Sequence, residues 1–466
     1  MKLTLYNTES KKKEALKPTD GKKVRLYTCG PTIYDFAHIG NFRTYVFEDL
    51  LRRSIQSFGM KIEQAMNITD IDDKTIRGAI CKQIPLKQFT EPYRVAFFED
   101  LHTLNIQKAE HYPAATDYIP EMIKIIQILL DKGCAYRSSN GSIYFSIRHF
   151  PTYGRLSHLN LDELKTNASG DNEADEYGKE NISDFVLWKA YDPTRDGQIF
   201  WDSPFGPGRP GWHIECSAMA MKILGPTIDI HCGGVDNMFP HHENEIAQSE
   251  CCTGHRFVHL WMHSEHLLVD HKKMSKSLGN FYTLRDLLKK GYTGQEVRYL
   301  LLSTHYRTQL NFTFAGLDGA RSSLQRISDL IERLKTIQEG TGSFPHLEQA
   351  DQQFTAALAD DLNISVAFAA LFDLIRELNA AADKQQLSPT DACRALQLFE
   401  KWDHVLGLLP LHKHQDIPHH LQQLLEQREE ARKNKNWRRS DELRDEILAS
   451  GYLIEDTPTG ARLKRK

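Results

Sequence analysis

Tyr27-Thr28-Cys29-Gly30-Pro31-Thr32, running on to His38-Ile39-Gly40-Asn41, reads as the end of a buried strand, a tight Gly-Pro turn and the start of a helix. A helix start offers unpaired backbone N–H groups and a positive dipole end, so it suits phosphate. Gly40 lets a ligand approach the backbone, His38 and Asn41 add side-chain donors, and Cys29 adds a metal-ligand type just before them. Upstream, residues 22–28 alternate charged and apolar side chains and predict a strand. Downstream, Phe42, Tyr45, Val46, Leu50 and Ile55 fall near helical spacing, and Gly59 suits the position after a helix end. Residues 62–68 predict a second strand. Together these make a βαβ unit and argue for a parallel sheet. The second strand runs into Asn67-Ile68-Thr69-Asp70-Ile71-Asp72-Asp73-Lys74, polar residues at the carboxyl end of a parallel strand, where such sheets bind ligands. Thr69 or Asp70 is the expected N-cap of the following helix.

Further out, residues from about 90 to 135 predict helices punctuated by Pro92, Pro113 and Pro120, and residues 142–147 a short strand. Residues 160–181 are polar and acidic and predict a mobile surface loop. This middle block reads as an insertion between two halves of a sheet. Sheet patterning returns after Pro210, with a helix expected from Ile214 or Ser217 and a buried strand at Ile228-Asp229-Ile230-His231. Pro240 suits the first turn of a helix, which sets His241 and Glu245 four apart on one face. Beyond residue 314 the pattern is helical, through Leu317, Leu324, Ile327, Ile331 and Leu334, with further helices expected at 352–359, 365–378 and 389–406, the last capped by Ser388. Residues 411–420 read as a linker. The tail predicts two short helices, 421–435 and 441–449, with Ser440 capping the second and Gly451 ending it. The fold class is therefore α/β: a parallel, doubly wound, Rossmann-like sheet with an inserted domain, followed by an α-helical C-terminal region.

The 466 residues suit about three ordinary domains, and 40% apolar residues supply their cores. No apolar run is long enough to span a membrane, and the first residues lack the pattern of a signal peptide. A net charge of −4 neither indicates nor excludes an RNA partner. Eight irregularly spaced cysteines do not form a disulfide framework, so a reducing cytoplasm is the expected setting.

Three constellations carry chemistry. Lys273-Met274-Ser275-Lys276-Ser277, followed by Gly279-Asn280, sets two ammonium groups on one loop, compact charges suited to the phosphates of ATP. Cys29, Cys216, His241 and Glu245 are zinc-ligand types, but His231, Cys232, His242, Glu243, Cys251 and Cys252 compete with them, and spacing alone does not choose. In the tail, Trp437, Arg438 and Arg439 lie in a basic run, and Arg462 opens another; basic residues beside an aromatic suit phosphates and an unpaired base.

His38-Ile39-Gly40-Asn41 and the lysine loop together resemble the paired signatures of class I aminoacyl-tRNA synthetases. The blocks 28–34, 211–217 and 239–245 resemble those of the cysteinyl-tRNA synthetase family, and the similarity runs nearly end to end, from Leu5-Tyr6-Asn7 to Glu455-Asp456-Thr457-Pro458. The resemblance implies activation of L-cysteine by ATP with Mg2+, transfer to tRNA(Cys), and a monomer. It assigns His38, Gly40, Asn41, Lys273 and Lys276 to ATP and catalysis. One zinc ion falls to Cys29, Cys216, His241 and Glu245; Thr69, Trp212, His231 and Asp236 fall to cysteine; and Trp437, Arg438, Arg439 and Arg462 to tRNA. Zinc prefers a soft thiolate and binds an alcohol poorly, so ligand chemistry separates cysteine from serine without editing. The domains implied are 1–120 and 206–313 as the two catalytic halves, 121–205 as the inserted connective domain, 314–410 as a helical bundle and 411–466 as an anticodon-binding domain. The chain departs from the family pattern at Asn41, where His is usual, at Cys232, where Gly is usual, and at Leu463, near which Trp is usual. Two alternatives stay open: an ATP-dependent ligase joining cysteine to a small amine, and a non-catalytic zinc-containing RNA-binding protein.

Overall fold

The computed structural model describes residues 1–159, 184–275, 278–340, 342–409, 419–457 and 460–465. The predicted 160–181 loop, most of the 411–420 linker, and Lys276 lie outside the described residues. Two compact units emerge, Met1–Leu409 and Pro410–Lys466.

The first unit is built on a parallel sheet ordered Lys61–Met66, Lys23–Thr28, Ile228–Gly234, Val258–Ser264. Parallel strands need crossovers, and helix Ile39–Ser57 supplies the first. The chain leaves strand Lys23–Thr28 toward one side and later returns on the other. The carboxyl end of that strand is therefore a topological switch point, the usual ligand crevice of an open parallel sheet. Cys29 sits on it, its N–H donating to Cys232 O at 3.1 Å.

Between the halves, strands Ala135–Arg137, Ile143–Phe145, Phe185–Ala190 and Gly208–Pro210 pair antiparallel. A separate small sheet carries the lysine loop: Leu267–Val269 pairs in parallel with Leu310–Phe312 and antiparallel with Lys272–Lys273. The connecting residues Asp270 and His271 both have positive φ, +49° and +61°, as a two-residue hairpin turn requires. Helices Phe314–Lys335, Leu347–Ala359, Ile364–Asp383 and Pro389–Leu406 follow, and the Ser388 hydroxyl caps the last as expected.

Three local expectations are corrected. Neither Thr69 nor Asp70 caps the helix Asp73–Lys82; Asp72 does. The Thr69 backbone is occupied in pairing with Pro31 and Ile33, and the Asp70 carboxylate accepts from Thr116. The helix expected from Ile214 or Ser217 begins at Trp212. Pro240 does open a helical turn as expected: it follows the extended Phe239 (φ −135°, ψ 133°) and leads through His242 into the regular helix Glu243–Thr253, with His241 and Glu245 one turn apart. In the tail, Asn436, not Ser440, caps the helix Trp437–Ala449, because its side chain accepts from Arg439 N–H. The tail is also not purely helical. Strands Tyr452–Thr457 and Gly460–Arg465 form an antiparallel hairpin, and its Leu463 packs with Leu421 and Ile447 in the core of the second unit. Leu463 is therefore a core residue of that unit.

Candidate active site and metal centre

His38 is the N-cap of helix Ile39–Ser57 and closes a reciprocal capping box with Asn41. Asn41 N–H donates to His38 Nδ1 at 3.1 Å, and His38 N–H donates to Asn41 Oδ1 at 3.1 Å. The bond selects a tautomer: with Nδ1 accepting, the neutral ring carries its proton on Nε2. Ile39 N–H is taken by Tyr282 O at 3.0 Å. Gly40 N–H thus has no partner among the described residues, and remains a donor at the helix start. A Cβ on Gly40 would stand 3.0 Å from the His38 ring and 3.1 Å from Met274 Cε, so only glycine leaves this space open. Met274 brings the lysine loop to the same spot. Loop residue Ser275 donates its N–H to Asn280 Oδ1 at 2.8 Å, and Asn280 Nδ2 donates to Lys273 O at 3.2 Å. Lys273 is exposed.

At the switch point, ligand atoms of Cys29, Cys216, His241 and Glu245 lie within 4.8 Å of one another, all buried. A second group of the same tightness shares Cys29 and Glu245 but adds His231 and His242. Both groups turn on Glu245, whose oxygens differ. His231 Nε2 bonds Oε2 at 3.0 Å. Oε1 lies 3.0 Å from His241 Nε2 but receives no aligned hydrogen bond. A ring of imidazoles backs these side chains: His213 Nδ1 meets His241 Nδ1 at 2.9 Å, and His242 Nδ1 meets His263 Nε2 at 2.8 Å. Such outer contacts orient metal-binding imidazoles.

The ionisation states fit a cation. Burial opposes the Cys216 thiolate, but the Cys29 thiol donating to it and His241 beside it bring its pKa down to about 6. Burial and the neighbouring Cys216 push the Cys29 thiol well up. Burial also opposes charge on His241, yet Glu245 and Cys216 hold it at about 10. Glu245 pays for desolvation but stays below the ordinary carboxylate range through His231 and His241. A thiolate and a carboxylate thus share one imidazolium proton, and a divalent cation answers the same charge pattern with four N, O and S donors.

Of the residues expected around cysteine, Thr69 is buried and Trp212 half-buried. Thr69 Oγ1 accepts from Asn67 Nδ2 at 3.0 Å and donates to Glu215 Oε2 at 3.1 Å; Asn67 Oδ1 also accepts Gly30 N–H at 2.9 Å. The Trp212 ring stacks on His241, centroids 4.3 Å apart. His231 is fully buried beneath Glu245, between Tyr27 and Trp261. Asp236 is exposed, and a Cβ on Gly234 would stand 2.4 Å from its Oδ1. Cys232 is a buried strand residue outside both metal groups. In the second unit Trp437 and Arg438 are exposed, and Arg438 and Arg439 both reach Glu442. Arg462 lies on the hairpin opposite Glu455, its side chain outside the described part. Sequence reasoning missed Asn67, Glu215 and His213 as supports; each stood inside a quoted block, but their hydrogen bonds cross strands and helices remote in sequence.

Residues 15–322 match the family described as "tRNA synthetases class I (C) catalytic domain", residues 353–410 a DALR domain, and residues 414–462 the cysteinyl-tRNA ligase anticodon binding domain. The chain is 62% identical to a cysteine–tRNA ligase of Protochlamydia amoebophila, over 100% of this chain and 98% of that one. It is 56% identical to that of Chlamydia pneumoniae, over 99% and 98%. The chain belongs to the cysteine–tRNA ligase family. A member of this family is an enzyme that joins cysteine to tRNA, and the α/β fold is that of class I synthetases at large. A Mycobacterium tuberculosis methionyl-tRNA synthetase in complex with methionyl-adenylate superposes with a TM-score of 0.60 at 12% identity, covering 84% of this chain and 88% of that one. A LeuRS–tRNA–LeuAMS complex from Agrobacterium radiobacter gives 0.59 at 14%, covering 85% and 86%. No helix among the described residues is long and apolar enough to cross a membrane.

Proposed function

We propose that this ligase works through the residues gathered at the switch point. The supporting observation is the convergence of Cys29, Cys216, His241 and Glu245 at the carboxyl end of the sheet that also presents the His38 helix start. These four, rather than the group with His231 and His242, would hold zinc. Glu245 Oε1 is the oxygen without an aligned donor, and His213 already orients His241. Zinc held there supplies a soft centre that takes the sulfur of cysteine and disfavours the hydroxyl of serine.

The chain's own groups do the rest. ATP arrives with Mg2+, and its phosphates meet Gly40 N–H and the Nε2 proton of His38 at the helix start. Asn41 keeps that imidazole in place, and Lys273 and Lys276 add positive charge from the loop. The cysteine carboxylate attacks the α-phosphorus, an oxygen–phosphorus bond forms, and pyrophosphate leaves with the bonding pair. The donors favour this step by meeting charge as it develops. Thr69 and Trp212 line the cysteine pocket, His231 acts from behind Glu245, and Asp236 flanks the opening. A hydroxyl of the terminal ribose of tRNA(Cys) then attacks the adenylate carbonyl, AMP leaves, and the ester forms. Trp437, Arg438, Arg439 and Arg462 provide stacking and phosphate contacts to the tRNA.

Cysteine-dependent ATP–pyrophosphate exchange, with metal content read on the same sample, tests this. Exchange with cysteine but not serine and about one zinc per chain are expected. Equal exchange with serine, or a zinc-free protein of full selectivity, would sink the metal assignment.

A further inference from the structure

Three contacts join the first helix to the segment just after the lysine loop. Ile39 N–H donates to Tyr282 O at 3.0 Å. His38 and Thr283 pair as an antiparallel bridge. The Phe281 ring meets the His38 imidazole nearly perpendicular, 79° between planes and 5.2 Å between centroids. The segment is anchored beyond, because Thr283 caps the helix Leu284–Lys289 and closes a capping box with Asp286. On its near side Asn280 ties the loop together through Lys273 O and Ser275 N–H.

An imidazole turns about a broad, roughly two-fold terminal torsion, and a ring contact narrows its settings further than the hydrogen bond at Nδ1 does. A ring packed against its face or edge removes the alternative settings. We propose that Phe281 is a positioning residue for adenylate formation. Its ring holds the His38 imidazole in the setting in which Nδ1 accepts from Asn41 and Nε2 carries the proton toward phosphate. Through the Tyr282 and Thr283 backbone contacts, the position of the lysine loop and the setting of His38 move together. This rests on the reading of His38 as a phosphate donor.

The test is a double-mutant cycle on the full-length, zinc-loaded protein, read by cysteine-dependent ATP–pyrophosphate exchange. The variants are Phe281→Leu, Phe281→Tyr, His38→Asn and His38→Asn combined with Phe281→Leu; Phe281→Met serves in the same cycle so that no result hangs on the folding of one variant. Phe281→Leu is expected to lower kcat about tenfold, while KM for cysteine stays within about twofold. Phe281→Tyr restores the rate, and the double variant is no slower than His38→Asn alone, because the two residues act as one unit. Multiplying losses in the double variant, a change confined to KM for cysteine, or wild-type kcat in both Phe281→Leu and Phe281→Met would overturn the positioning role. A wild-type protein without exchange would overturn the functional reading itself, which separates the two failures.

Discussion

Glu245 shows how much one carboxylate can carry. One oxygen is held by His231 and the other is left beside His241 and the two thiols without an aligned donor. Desolvating such a group is costly unless a charge answers it. Cys216, with its thiol brought down to about 6, is the one of the two thiols that its neighbours draw toward the thiolate. Replacing Cys216 with Ser removes a soft ligand and leaves an alcohol that ionises reluctantly. Zinc retention should fall by more than about a hundredfold, and the preference for cysteine over serine should shrink with it. Chelator competition and exchange with both amino acids check this; unchanged metal content with unchanged selectivity would contradict the assignment.

Among the elements, helix Ile39–Ser57 presents its start to the site and buries its body against helices from the far end of the chain. Asp49 accepts from Arg298 at 2.5 Å and from Arg53 at 2.7 Å, and Arg298, fully buried, also donates to Leu104 O and Leu406 O. Removing one partner strands a buried guanidinium. Asp49→Ala should therefore cost about 3–5 kcal/mol, read as a lower denaturant midpoint at unchanged slope. Asp100, in helix Leu86–Thr103, behaves differently. Burial raises its carboxyl to about 6 from the ordinary 3.8, and Arg285, 3.4 Å away, offsets this only in part. The folded protein thus holds this proton more tightly than the unfolded chain. That contribution is complete below pH 3.8 and is lost as pH rises through about 6. Asp100→Asn should accordingly stabilise at pH 8, by at most about 3 kcal/mol, and do less at pH 5. Thermal melts at both values decide it, and an equal shift at the two would exclude the titration of Asp100 as the cause.

The molecule as a whole is two units with separate cores. The sheet, the metal-ligand groups and the described part of the lysine loop all belong to residues 1–409, and the exposed Trp437 belongs to the other unit. A chain ending at residue 409 should keep cysteine-dependent exchange within about threefold, since additivity holds for sites without shared partners. Its charging of tRNA(Cys) should fall by well over tenfold. Loss of exchange in a folded truncation would show that the second unit serves the chemistry directly.

Strand, turn and helix around residues 23–57 were legible because alternation, helical spacing and a Gly-Pro turn are local signals. The paired motifs His38–Asn41 and Lys273–Ser277 pointed to the family because each is a short run whose residue order is read directly along the chain. The tail hairpin was not legible: residues 452–457 and 460–465 are short, largely polar runs, and pairing with each other, with Leu463 packed on Leu421 and Ile447, makes them strands. Nor did spacing choose among the many Cys, His and Glu ligand types. Cys29 and His242 are 213 residues apart yet 3.3 Å from Sγ to Nε2, and the sheet order 61–66, 23–28, 228–234, 258–264 brings together the segments that follow strands 23–28 and 228–234 and carry them. Local sequence therefore determined the elements of the first βαβ unit and the residue types that carry chemistry. The tertiary structure alone decided which oxygen of Glu245 lacks an aligned donor and which ring meets the His38 imidazole, because hydrogen bonds and ring contacts depend on distances that chain separation does not encode.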